Sequence, residues 1–236
     1  MLDLMKIELK KINIRTYIKS TFVISICLLV VLYMTILQPR VEPNIPNIHL
    51  FSGYKNIISL FGILNLAVFS VLASVMYSRF VIEEYRGKRV ILLFSYPISR
   101  SKVFLSKIMI VSLFTIISMT ISDVIIFSIF GVTETFFPLV NDSITFEVIS
   151  KSIMTTIIMA VMAVGLSIIS MGLGFINKSI PTTIVSAILL CSCLSNIFST
   201  VSLKSNILSP VLMVIVILAG IFVARNVMKK INLMEV

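Results

Sequence analysis

Tryptophan is absent, histidine occurs once, and only 13% of the 236 residues are charged. Against 58% hydrophobic residues and a mean hydropathy of +1.11, that scarcity of charge excludes an ordinary soluble domain and makes the chain an integral membrane protein. The single histidine, His49, has no partner of its kind and sits in a polar loop, which argues for solvation and against a metal site. Cysteine is equally thin. Cys27, Cys191 and Cys193 lie in apolar stretches, and Cys191 and Cys193 point to different sides of a helix, so neither a disulfide framework nor a metal knuckle is expected. Acids are half as numerous as bases, for a net charge of +10, but the bases flank apolar runs and serve membrane orientation, not nucleic-acid binding. Catalytic signatures are missing too. The one Gly-Lys pair, Gly87-Lys88, has Ile82 where a phosphate-cradling loop needs its first glycine and Arg89 where it needs a hydroxyl. No nucleophile elbow or zinc helix is present, so no catalytic residue, metal or cofactor is expected in this chain.

What is present is a succession of apolar runs. Residues 1–19 alternate Leu2, Met5, Leu9 and Ile12 with Lys6, Lys10, Lys11, Arg15 and Lys19 at a helical period, which predicts an interfacial amphipathic helix. Six transmembrane helices are expected at about 20–38, 56–78, 108–132, 152–176, 180–199 and 209–224, each able to cross ~30 Å of hydrocarbon. The first is a retained span, not a cleaved signal, because Gln38-Pro39-Arg40 offers no small-residue cleavage pattern. Glu134, Asp142, Glu147 and Lys151 are read as a loop, Asn177-Lys178-Ser179 as a tight turn, and Ser209-Pro210 as the N-cap and first residue of the last span. The fold class is therefore all-α, a single transmembrane domain over 1–236. All but four of the 20 bases (Arg40, Lys55, Lys151 and Lys204) fall on one side of this layout, which places both termini in the cytoplasm.

Two places hold candidate functional residues. Residues 79–107 join spans two and three and carry a third of the bases. Glu83 and Glu84 suit a helix start, Gly87 permits a break, and Val90-Ile91-Leu92-Leu93-Phe94 is apolar on every side. An all-round apolar segment outside hydrocarbon calls for cover by its own bundle and by another protein. Pro97 interrupts it and Ser99 is placed to cap a helix running into span three. The second place is Asp123, an acid inside span three, which must face protein or a water-filled cavity or be protonated. It is either a substrate-path or gating residue or a structural partner of Ser, Thr or Asn65 on another helix. In span four, Thr156, Ala160, Ala163, Ser167, Ser170 and Gly174 form a small-residue face for close helix packing, and the methionines around it serve adaptable packing.

The pattern Glu84, Gly87, Leu92-Leu93, Pro97-Ile98-Ser99-Arg100 and Lys107, together with the six-span layout, resembles the permease subunits of the type-2 ABC transporter family, with Lys88 and Ser106 departing from its usual residues. The paired Glu83-Glu84 is also superficially similar to intramembrane prenyl-protein proteases, but Lys88 stands where that chemistry uses arginine and His49 lies on the opposite side. The permease resemblance implies a cytoplasmic coupling helix between helices 2 and 3, with Glu83, Glu84, Gly87, Leu92, Leu93, Pro97, Ser99, Arg100 and Lys107 contacting a separate P-loop ATPase subunit that holds ATP and magnesium. It implies pairing with a second permease copy or a sister permease in a bacterial plasma membrane. Compact members resemble exporters of hydrophobic, amphipathic or antimicrobial peptides and self-immunity permeases. Export of drugs, lipids or ions, and a non-transporting immunity or scaffold protein, are the alternatives.

Overall fold

The computed structural model describes residues 2–11, 13–41, 53–85, 99–137, 140, 145–202 and 208–233, and among them every regular element is helical. A short α1 (Leu2–Lys11) is followed by α2 (Ile14–Val41), α3 (Tyr54–Tyr77), α4 (Arg100–Phe136), α5 (Phe146–Ile176), α6 (Ile180–Ser202) and α7 (Leu208–Asn232). Among the described residues, six helices, α2 to α7, are long and apolar enough to cross a membrane.

Several boundaries differ from those expected. The stretch 1–19 is not one helix, because Asn13 is non-helical and stands at the N-cap position of α2, its carbonyl accepting from the Thr16 amide at 3.4 Å. Tyr17 and Lys19 therefore belong to the spanning helix. α4 has 37 residues, about 55 Å at 1.5 Å per residue, so it overshoots the hydrocarbon and carries Glu134 in a helical turn instead of a loop. α7 starts at Leu208, which puts Ser209 and Pro210 inside its first turn, where a missing proline N–H costs nothing. α3 does not stop at Tyr77 but widens into a π-helical turn, Ser78–Ile82, closed by the Glu83 amide on the Ser78 carbonyl at 3.0 Å.

α3 and α5 form the centre of the bundle. Phe69 and Met76 on α3, and Met159, Met162 and Ala163 on α5, are fully covered. The small face of α5 lies inside the protein, with Ser170 hydroxyl 2.6 Å from that of Ser74 on α3. Gly174 permits the closest approach: a Cβ there would stand 1.9 Å from the Thr183 hydroxyl on α6. α2, α6 and α7 surround this core and turn Phe22, Met34, Val185, Leu189, Leu218 and Phe222 outward, as lipid-facing helices do.

One end of the bundle collects the chain termini. Met5 and Glu8 of α1 are buried there, and Ser101 at the start of α4 donates to Asn232 at the end of α7 at 2.9 Å. Beneath them Tyr77, Val81, Tyr85, Phe104, Phe175 and Ile231 make a compact apolar cluster, with Tyr85 and Phe175 edge to face at 5.6 Å. Both described chain ends and both edges of the 79–107 region thus share one end of the molecule.

Candidate functional site

Lys107 lies at the centre of that end. It is 1% exposed, and its ammonium donates to the Phe80 carbonyl at 2.9 Å, to the Glu84 carboxylate, and faces the Glu8 carboxylate at 3.6 Å. A buried ammonium costs several kcal/mol unless it is paired and hydrogen-bonded, and here both conditions are met. The geometry has local causes. The π-helical turn swings Phe80 and Glu84 toward α4, and α4 begins early enough to bring Lys107 level with them. Glu8 reaches the same point from α1, through a helix that also buries Met5. Three segments remote in sequence are fastened by one ammonium.

Glu84 and Lys107 are therefore brought together, inside the fold, while Arg100 remains part-exposed at the helix start. Glu83 pairs with Arg79 at 3.6 Å one turn back on the same helix. Ser99 occupies the N-cap position of α4, with its carbonyl accepting from Lys102 at 2.9 Å, but its hydroxyl makes no capping bond. Gly87, Leu92, Leu93 and Pro97 lie outside the described residues, as does His49. Tyr85 is buried beside the cluster; burial, with the Glu84 and Glu8 carboxylates adding to it and Arg100 opposing, pushes its phenol well above the ordinary value, so it stays neutral.

Glu8 was not singled out from sequence. Its signal was an acid three residues after Met5 and four before Ile12, at the edge of an otherwise apolar helix face.

Deeper in the bundle, Asp123 is 3% exposed and held from two sides. Asn65 of α3 donates its amide to one carboxylate oxygen, and Thr156 of α5 donates its hydroxyl to the other at 2.8 Å. Next to it on α4, the Ser122 hydroxyl meets Ser25 of α2 at 2.7 Å. The pairing with Asn65 expected for a structural acid is present, and Thr156 is a second anchor. Asp123 also lines a cleft of about 370 Å³ between α4 and α5. Among the described residues, no group of His, Cys, Asp or Glu is arranged to hold a metal ion.

Residues 4–193 match the family described as ABC-2 family transporter protein. A relative from Bacillus subtilis (strain 168), named Uncharacterized protein YcbO, is 25% identical over 209 residues, which cover 89% of this chain and 90% of the relative. No solved structure matches.

Proposed function

The chain belongs to the ABC-2 transporter family and is a transmembrane transport subunit, and from that premise we propose that it is the permease of an ATP-driven exporter, coupled through residues 79–107 to a separate P-loop ATPase subunit. ATP and magnesium bind that partner. A second permease copy or a sister permease completes the complex. The cargo is a hydrophobic or amphipathic peptide, and the end of the bundle that gathers α1, Lys107 and the C-terminal bases faces the cytoplasm, as the distribution of Lys and Arg favours.

The observation that carries this reading is the fastening of Lys107. A loop that receives force from an ATPase must be anchored to the spans it moves, and Lys107 ties the exit of α3 to the entry of α4 and to α1. On this reading Glu83, Gly87, Leu92, Leu93, Pro97, Ser99 and Arg100 make or shape the docking contact, whereas Glu84, Lys107 and Glu8 set its position. Tagged full-length chain isolated from native membranes is expected to bring down a P-loop ATPase. Leu93→Asp and Arg100→Glu should each remove that ATPase and peptide export together. Retention of both by a well-folded variant would refute the coupling assignment.

A further inference from the structure

The Asp123 cleft has the chemistry of a ligand site. Asp123 is buried, yet both groups that bond to it, the Asn65 amide and the Thr156 hydroxyl, are neutral. Among the described residues no Lys or Arg pairs with it; Lys55 pairs with Glu147, Arg79 with Glu83, and Lys107 with Glu8 and Glu84. Each carboxylate oxygen accepts one hydrogen bond, which leaves acceptor capacity on both. A buried acid in a membrane without a cation beside it is costly, and a visiting cation would relieve that cost.

The cleft defines what kind of cation. Its volume of about 370 Å³ suits a small organic group. Its rim is apolar and turned outward: Val124 is 64% exposed, Ile153 56% and Ile157 54%. A ligand therefore arrives from the lipid and leaves an apolar tail among these side chains, while its charge meets Asp123. Along α4, Asp123 is about 24 Å from Lys107, and the cleft continues away from it toward Ser128. The site lies in the membrane half remote from the charge cluster, which is the outer half if that cluster is cytoplasmic.

We propose that the α4–α5 cleft binds the ammonium or guanidinium group of a membrane-dissolved amphiphile, with Asp123 as its counter-ion and the apolar rim as the seat of its tail. The assignment deepens the export reading and rests on it for its transport role, but the binding itself is a property of this chain alone.

The test uses the full chain in phosphatidylcholine nanodiscs and two probes, dodecylammonium and dodecyl sulfate carrying the same nitroxide near the chain end. The bound fraction is read by electron paramagnetic resonance. With a net charge of +10, bulk electrostatics favour the sulfate, so a preference for the ammonium isolates the cleft. Wild type is expected to prefer ammonium by roughly tenfold. Asp123→Asn should abolish that preference, Asp123→Glu should keep most of it, and Val124→Trp, which blocks the rim and leaves the carboxylate in place, should weaken ammonium binding. Equal binding of the two probes by wild type, or a preference that survives in Asp123→Asn, overturns the site. Because co-purification with the ATPase does not depend on the cleft, its persistence in Asp123→Asn keeps the export reading standing whichever way the probes behave.

Discussion

An ammonium group that is 1% exposed inside an apolar bundle persists because acids meet it from two directions, Glu84 from the end of α3 and Glu8 from α1. Removing the cation takes the shared ammonium away from two carboxylates that lie close together. Lys107→Met is therefore expected to lower stability by about 3–5 kcal/mol, read as a fall in melting temperature by size-exclusion chromatography in detergent. Lys107→Met with Glu84→Gln should recover part of the loss, and Glu8→Gln alone should cost less, since one ion pair remains. An unchanged melting temperature in Lys107→Met would show that the cluster carries no stability. At this scale the sequence was half legible. Glu84 and Lys107 stood out as motif residues, but their mutual bond is a long-range contact that no local pattern encodes. Glu8 was hidden because its partner lies on another helix, whereas Asp123 announced itself through the cost of an acid in a span.

Helix-to-helix spacing in this protein is set by missing side chains. A Cβ on Gly172 would stand 2.1 Å from Cγ1 of Val223, and valine has little rotamer freedom with which to retreat. Gly172→Ala should force α5 and α7 apart and cost about 1–3 kcal/mol, with Val223→Ala restoring much of it in the double variant. Gly131 is the control, because nothing lies within 4 Å of its added Cβ; Gly131→Ala should be neutral or gain up to about 1 kcal/mol of helix propensity. The turn between α5 and α6 offers the opposite case. Lys178 holds φ at 47°, a left-handed conformation that favours glycine. Lys178→Gly is expected to raise the melting temperature by an amount corresponding to about 0.5–1 kcal/mol, in the same assay. The turn itself was legible from Asn177-Lys178-Ser179, and so were the spans. The break at Asn13 was not, because the amphipathic period runs through it, and the π-helical turn after α3 follows from tertiary packing with no sequence signature of its own.

At the level of the whole molecule, hydropathy located the helices but did not rank them. The most apolar window, in α2, has hydropathy 2.5 with 17% of it buried, whereas that in α3 has 2.2 with 56% buried. Lipid and protein interior are alike in polarity, so apolarity cannot say which helix is central. What distinguishes α3 and α5 is small and hydroxyl side chains that allow close approach, as in the Ser74–Ser170 and Gly174–Thr183 contacts. Hydroxyl and amide bonds join the helices along their length, but the ion pairs of buried Lys107 lie at one end, where α1, the exit of α3, the entry of α4 and the end of α7 meet. On the proposed reading, that end is the one the ATPase pushes. The most direct measurement is a charge swap in the full complex, scored by the ATP-driven accumulation of peptide inside inside-out vesicles, which is what export becomes in that orientation, at matched expression. Lys107→Glu and Glu84→Lys should each abolish export, and the double variant, which restores an ion pair across the same two backbones, should recover a substantial part of it. Full export by either single variant would contradict the claim that this buried pair positions the coupling region, and so would a folded double variant that exports no better than the singles.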